Sequence, residues 1–212
     1  MEKNISDIRK DYVKGSIAVS EMPQNPIDAF QKWLDEALNA KVEEPTAFNL
    51  STVSEEGQPH SRIVLLKGIE NGNFIFFTNY KSSKGNDLLF SPKVALNFFW
   101  PELERQIRIL GTAEKISPEK SDTYFYSRPL ESQAGAIVSA QSNEIDEHLD
   151  LTTAIEHLLM NPNEIKRPEH WGGFEINPNY IEFWQGRPSR IHDRVFYQKI
   201  DDLKWKKGRL AP

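Results

Sequence analysis

The spacing of hydrophobic and polar positions changes along the chain, and each spacing predicts a different element. Behind Asn25 and Pro26, a typical helix start, apolar residues recur every three or four positions to Leu38, which predicts an amphipathic helix. Between 47 and 114, short apolar runs separated by turn signals predict strands, with a short helix at 83–90. The strands predicted in this part are 47–53, 60–66, 74–78, 94–100 and 106–114.

The middle of the chain is predicted to be helical, and the tail returns to strands. Helices are predicted at 118–128, at 132–139 and through Ile145 to Leu159, and a further helix from Ile5 is ended by Gly15. The tail strands are 173–176, 180–185, 194–199 and one around Trp205. Strands, then helices, then strands predict an α+β fold, mainly β, in which an antiparallel barrel has helices packed outside it.

Composition excludes several classes of protein. The chain has 212 residues, enough for one domain, and its net charge of −5 argues against a general nucleic-acid binder. The absence of cysteine excludes disulfides and thiol chemistry. No basic-then-apolar leader or membrane-length apolar run occurs, so a cytoplasmic location without membrane contact is expected. The five histidines show no metal-ligand spacing, so no metal site is predicted and redox chemistry would need an organic cofactor.

The stretch Phe183–Arg194 concentrates arginines around a histidine. In an extended strand, Arg190, His192 and Arg194 would share one face, which would present two guanidiniums and an imidazole to an anion. A solvated strand face with an ordinary histidine fits the same spacing.

Three other segments carry donors suited to phosphate. Arg62 and Lys67 bound an apolar run, but their odd separation puts them on opposite strand faces unless a bulge or a strand end lies near Lys67. Lys84 lies at a predicted helix start, which is either a phosphate site or a simple N-cap. The third group, Tyr124, Arg128 and Ser132, could donate to one oxyanion. Together these donors indicate two phosphates, one of a cofactor and one of a substrate.

Several ordered motifs carry a resemblance to a known family. The chain resembles the pyridoxamine (pyridoxine) 5′-phosphate oxidases over nearly its whole length. The motifs are Arg62–Lys67, Phe77–Asn79, Glu104–Gln106, Tyr124–Pro129, Ser132–Gln133, Gln141–Ser142, Trp171–Phe174, Glu182–Gly186, Arg190–Arg194 and Arg209–Pro212.

The resemblance implies a Greek-key, FMN-binding split β-barrel that works as a homodimer with FMN at the subunit interface. It also implies oxidation of pyridoxamine or pyridoxine 5′-phosphate to pyridoxal 5′-phosphate, with oxygen as the acceptor and hydrogen peroxide as a product. Residues 1–20 would form a mobile segment that covers the active site, and 21–212 a single domain.

The resemblance also implies roles for individual residues. Arg190 and His192 would be catalytic and would lie over the pyridine ring. The substrate would contact Arg9, Lys10, Asp11, Tyr12, Lys67, Tyr124, Arg128, Ser132, Arg190, Ile191 and His192. The cofactor would contact Arg62, Ile63, Val64, Leu65, Leu66, Lys67, Phe77, Thr78, Ser83, Lys84, Gln106, Gln141, Ser142, Trp184 and Arg194.

The chain departs from the family pattern at three of these positions. Ser83 stands where a basic residue is frequent, Phe77 replaces a frequent tyrosine, and Ile191 a frequent leucine. Two other functions use the same barrel: a flavin or pyridoxal-phosphate binding protein without catalysis, and a flavin reductase with another substrate.

Overall fold

The computed structural model describes residues 4–8, 11–202 and 204–212. The α-helices of these residues are α1 Pro26–Asn39, α2 Ser83–Phe90, α3 Pro118–Ser127, α4 Leu130–Val138 and α5 Leu151–Met160. Their strands are β1 Ala47–Val53, β2 Pro59–Leu65, β3 Gly68–Glu70, β4 Asn73–Asn79, β5 Lys93–Trp100, β6 Arg105–Lys115, β7 Trp171–Gln185, β8 Asp193–Lys199 and β9 Trp205–Arg209. Single 3-10 turns lie at Ile5–Asp7, Val19–Glu21, Pro162–Glu164 and Pro188–Arg190.

Side-chain caps begin the helices where the sequence predicts them. The Asn25 side chain accepts a hydrogen bond from the Ile27 N–H at the start of α1 (2.9 Å), so one otherwise unpaired helix donor is satisfied. Ser82 caps α2 and Ser117 caps α3 in the same way. Phe30 and Ala37 of the predicted apolar stripe are buried, whereas Leu38 at its end is exposed.

The strands of the described residues form one sheet in the order β2-β1-β5-β6-β7-β4-β3, with β8 paired to β7 and β9 to β8. The pairs β3–β4, β4–β7, β7–β8 and β8–β9 are antiparallel, which confirms the predicted pairing for these strands. The three-residue β3 was not predicted, because so short a run has no readable alternation.

The prediction of two separate strands at 173–176 and 180–185 was wrong. They form the single strand β7 of 15 residues. β7 pairs with β4 through Trp171–Ile176 and with β8 through Tyr180–Gln185. The turn-forming residues 177–179 therefore lie where the partner strand changes, and there they do not end the strand.

Two predicted helices also differ. The N-terminal helix from Ile5 is only one 3-10 turn, and the chain is extended or irregular after residue 11. The third helix of the middle region begins at Leu151 rather than near Ile145, because the Asp150 side chain caps it by accepting from the Thr152 N–H (2.8 Å). In the described part of the chain, no helix has the length and apolar character needed to cross a membrane.

The chain divides into two compact units, each made of separate segments. The first unit takes the chain up to Asn49 together with Ala95–Leu110 and Pro178–Pro212. Aromatic side chains dominate its core: Phe30 meets Phe98 with ring centroids 5.1 Å apart, and Trp33 meets Phe183 at the same separation.

The second unit comprises Leu50–Val94 and Gly111–Asn177. In its core, Phe76 stacks on Phe174 with ring centroids 5.6 Å apart. A further buried cluster joins α3, α4 and the start of β7, and consists of Phe125, Ala134, Ile165 and Trp171.

Candidate active site

One cavity of about 1060 Å³ in the second unit collects most of the predicted cofactor and phosphate residues. The predicted residues that line it are Arg62, Ile63, Val64, Leu65, Lys67, Phe77, Thr78, Ser83, Lys84, Tyr124, Arg128, Ser132, Gln141 and Ser142. Leu66 is buried and does not line the cavity. The structure therefore brings both predicted groups of phosphate donors into one cavity.

The end of β2 explains how Arg62 and Lys67 share this cavity. Strict alternation would place them on opposite faces, but β2 ends at Leu65. The Lys67 N–H donates to the Ile75 carbonyl (2.8 Å), which fixes the connection to β3. Of the two arrangements that would let Arg62 and Lys67 share a site, a bulge or a strand end near Lys67, the structure has the strand end.

The Lys84 ammonium is buried in the first turn of α2, with only 7% of the residue exposed. It donates to Thr78 Oγ1 (3.1 Å), Ser82 Oγ (3.2 Å) and Gln141 Oε1 (3.3 Å), and none of these partners is a carboxylate. Burial, and then the positive charge of Arg62, lowers the pKa of Lys84 to about 8. A buried ammonium with neutral partners only, beside a helix start, suits a phosphate such as that of FMN.

Arg62 is held rigidly beside this site. Its Nη1 donates to Thr52 Oγ1 (2.7 Å) and to the Leu50 carbonyl (3.1 Å), and its Nη2 lies 3.7 Å from the Asp87 carboxylate. Burial lowers the pKa of Arg62. Burial alone would raise the pKa of Asp87, but hydrogen bonds from Thr52 and His60 lower it. The Asp87 anion therefore orients both His60 and Arg62 on β2.

Arg128 forms the second cationic point of the cavity. Its guanidinium lies 4.7 Å from the ring centroid of Trp171, and its buried Nη1 has no hydrogen-bond partner among the described residues. Burial lowers its pKa, and burial raises the pKa of Tyr124. A buried guanidinium nitrogen without an acceptor is costly unless an anion binds there. The site therefore fits an anion such as a phosphate group.

Stacked aromatic rings also line the cavity. Phe77 stacks on Tyr124 with centroids 3.8 Å apart and on Trp171 at 5.6 Å. These planes suit an aromatic ligand. The helix predicted to reach residue 128 ends at Ser127, and Arg128 follows it as the C-cap. Tyr124 and Arg128 both line the cavity.

The predicted catalytic residues lie in the first unit, around an aromatic cluster of Tyr12, Trp184 and His192. The Trp184 and His192 centroids are 4.6 Å apart, and Tyr12 lies 5.6 Å from Trp184 and 5.8 Å from His192. His192 Nδ1 accepts the Arg187 backbone N–H (3.1 Å). In the neutral imidazole this bond places the proton on Nε2, where it can be donated.

Arg190 and His192 do not lie in an extended strand, so the strand face considered for Arg190, His192 and Arg194 does not form. Pro188–Arg190 form a 3-10 turn, with φ of 57° at Ser189 and 60° at Arg190, and the strand begins only at Asp193. The pair at Ser189 and Arg190 occupies the left-handed region that L-residues rarely adopt, a strain typical of functional loops. Ile191 and Arg190 are exposed.

The other predicted contacts in the first unit have protein partners. Arg194 Nε donates to the buried Glu182 (2.8 Å), and Gln106 Nε2 donates to Asn97 (2.7 Å). Arg187, for which the sequence indicates no role, supports His192 and pairs with Asp193 at 3.1 Å.

The predicted N-terminal contacts are described in part. Arg9 and Lys10 lie outside the described residues. Asp11 is exposed, and Tyr12 belongs to the aromatic cluster.

Some cavity residues were missed by the sequence reasoning. His60 hydrogen-bonds to Asp87 (3.0 Å). Because His60 lies two positions before Arg62, strand alternation places both side chains on one face, and this spacing could have identified His60. The other lining residues that were not among the predicted contacts are Pro59, Ser61, Asn79, Gly135, Ala136, Ser139 and Trp171. Of these, Asn79 and Trp171 belong to the motifs that carry the family resemblance.

Two family models match the chain. One described as pyridoxamine 5′-phosphate oxidase matches residues 34–159, and one described as pyridoxine 5′-phosphate oxidase C-terminal dimerisation region matches residues 171–212. Together the two matched ranges include residues of both compact units.

Curated proteins are similar to this chain over its full length. A protein of Cytophaga hutchinsonii named pyridoxine/pyridoxamine 5′-phosphate oxidase is 51% identical over 215 residues, covering 100% of both chains. A protein of the same name from Bacteroides thetaiotaomicron is 50% identical over 212 residues, covering 99% of this chain and 100% of its own.

A solved structure supports the fold. The crystal structure of PhzG from Burkholderia lata 383 in complex with tetrahydrophenazine-1-carboxylic acid has a TM-score of 0.86 and 29% identity, covering 92% of this chain and 96% of its own. This similarity confirms the predicted fold class, α+β of the split-barrel type.

Proposed function

Because the chain belongs to the pyridoxamine 5′-phosphate oxidase family, we propose that it oxidises pyridoxamine and pyridoxine 5′-phosphate to pyridoxal 5′-phosphate with FMN as cofactor. Oxygen is the final acceptor, hydrogen peroxide is released, and the amine substrate also yields ammonia. The reaction belongs to vitamin B6 biosynthesis and salvage. One observation carries the proposal: a single cavity holds separate anion-binding points at Lys84 and at Arg128.

The Lys84 point suits the FMN phosphate. The ammonium, the fixed Arg62 guanidinium and the start of α2 all favour a dianion at this place. Ser83 lines the same part of the cavity and offers a hydroxyl rather than a charge.

The Arg128 point suits the substrate phosphate. The unpaired Nη1 and the hydroxyls of Tyr124 and Ser132 are donors that an oxyanion would satisfy, and Lys67 adds a charge. Holding the phosphate fixes the position of the pyridine ring, and such positioning lowers the barrier without a chemical step.

The chemistry that FMN supplies when bound is acceptance of a hydride from the substrate C4′ carbon and delivery of electrons to oxygen. The chain acts as a homodimer, in keeping with its dimerisation region, and we propose that FMN lies at the subunit interface. Trp184, Arg194 and Gln106 are then cofactor contacts, as the family resemblance implies.

Arg190 and His192 are proposed to hold the substrate ring. Because Nδ1 of His192 accepts the Arg187 N–H, Nε2 is a donor in the neutral state. A donor orients the ring and its substituent, so His192 is a positioning group and does not abstract the proton in this proposal.

The visible spectrum of the purified protein tests the proposal. FMN-loaded protein should lose its flavin bands when pyridoxamine 5′-phosphate is added without oxygen, and air should restore them with formation of peroxide. Pyridoxamine without phosphate is the matched control and should bleach the flavin only at much higher concentration. Protein that cannot be loaded with FMN would refute the proposal.

The same experiment separates the alternatives. A non-catalytic binder would hold FMN but show no bleaching. A flavin reductase with another substrate would lose its flavin bands with a different electron donor, and the phosphate of pyridoxamine 5′-phosphate would make no difference. The cytoplasmic location, residues 1–20 as a cover of the active site and 21–212 as a single domain stay predictions.

A further inference from the structure

Glu104 is a buried carboxylate in the turn between β5 and β6, with only 1% of the residue exposed. Its Oε2 accepts two backbone hydrogen bonds, from the Val13 N–H (2.7 Å) and the Lys14 N–H (2.9 Å). Among the described residues, these N–H groups are the only hydrogen-bond donors to the Glu104 side chain. A buried anion is costly without such donors, so Glu104 and the N-terminal segment stabilise each other.

The turn that carries Glu104 is itself fixed. Glu104 has a φ of 56°, and its carbonyl accepts the Gly186 N–H (2.8 Å) and the Gln185 side-chain amide (3.2 Å). The carboxylate is therefore presented from a rigid loop directly beside the end of β7.

Tyr12 immediately precedes the anchored residues and completes the aromatic cluster with Trp184 and His192. A Cβ added to Gly186 would lie 2.7 Å from Tyr12 Cγ, so the ring rests directly on the glycine. The two hydrogen bonds thus set the register in which Tyr12 meets the two rings.

A second carboxylate, that of Asp193, also accepts a hydrogen bond from the N-terminal segment, but it has other partners as well. Asp193 Oδ2 accepts the Ile17 N–H (3.2 Å), but Asp193 is also paired with Arg187 and Arg209. Asp193 keeps partners without the segment, whereas Glu104 loses both described donors.

We propose that Glu104 is a positioning residue that fixes Tyr12 against Trp184 and His192 and thereby closes the pyridine end of the substrate site. The proposal rests on the proposed function, because only that function gives His192 a role toward the substrate. It assigns to Glu104 substrate retention and not cofactor binding.

The test compares Glu104→Ala with Glu102→Ala in the FMN-loaded dimer. Glu102 is an exposed carboxylate in the same turn and serves as the matched control. For Glu104→Ala, KM for pyridoxamine 5′-phosphate should rise about tenfold, equivalent to about 1.4 kcal/mol, while the FMN Kd stays within about twofold. Hydrogen exchange at the Val13 and Lys14 amides should accelerate in this variant only.

A second variant guards against misfolding of the first. Gly186→Ala keeps Glu104 and pushes on Tyr12, so it should raise KM in the same way. Unchanged KM in both variants, or unchanged exchange in Glu104→Ala, would overturn the proposal. Failure of the proposed function gives a different result: wild-type protein would form no peroxide, while the exchange difference would still report the anchor.

Discussion

The pH dependence of FMN binding tests the role of Lys84 directly. Burial, and then the charge of Arg62, lowers the pKa of Lys84 to about 8 in the protein without ligand. The ammonium therefore loses its proton as the pH rises through about 8. A phosphate dianion beside it favours the charged form, so the complex keeps this proton to higher pH.

The expected size follows from proton linkage. Above about pH 8, the complex binds one more proton than the free protein. The affinity for FMN should therefore fall about tenfold per pH unit, equivalent to about 1.4 kcal/mol per unit. Below about pH 8, both states carry the proton, and Lys84 contributes no slope.

Titration of FMN fluorescence between about pH 7 and about pH 9.5 measures this slope. Lys84→Arg is the matched control, because a guanidinium remains charged throughout this range. Its affinity should be nearly independent of pH, whatever its absolute value.

A wild-type Kd that stays constant above pH 8 would refute the placement of the FMN phosphate at Lys84. An equal slope in wild type and Lys84→Arg would assign the titration to another group.

Three further results are expected. Arg128→Ala should raise KM for pyridoxamine 5′-phosphate by at least about 30-fold, or about 2 kcal/mol, with the FMN Kd unchanged; equal loss of both would contradict separate phosphate points. Arg190→Ala should lower kcat by a much larger factor than it lowers the FMN content of the purified protein. Equal losses of both would contradict a role of Arg190 toward the substrate. Gly85→Ala should lower Tm by several degrees, because its Cβ would lie 2.1 Å from the Tyr80 carbonyl oxygen. Gly135→Ala should not, because no described residue outside its own helical turn and chain neighbours comes within 4 Å of the added Cβ.

Local signals in the sequence predicted most elements but missed those decided by distant partners. Asn25 marks the start of α1 because its cap is a local hydrogen bond. The continuity of β7 depends on β4 and β8, which are remote in sequence. The start of α5 was missed although Asp150 is a good cap, because the apolar spacing from Ile145 suggested an earlier start.

The site shows the same division. Residue types alone indicated two phosphates, and the structure joins both donor groups in one cavity. The shared strand face of Arg190, His192 and Arg194, one of two alternatives left open by their spacing, does not form because Ser189 and Arg190 adopt left-handed conformations, which residue spacing cannot reveal. The buried state of Lys84 likewise depends on tertiary packing, so its lowered pKa was not predictable from the sequence.

The position of β2 at the end of the sheet order has a consequence for the newly made chain. This edge strand carries Ile63 at 64% and Leu65 at 36% exposure, and both side chains line the cavity. An uncovered apolar edge is a template for pairing with other extended chains. We therefore expect a subunit without ligand or partner to aggregate more readily than the FMN-loaded dimer, so that the supply of cofactor affects the yield of folded protein as well as its activity.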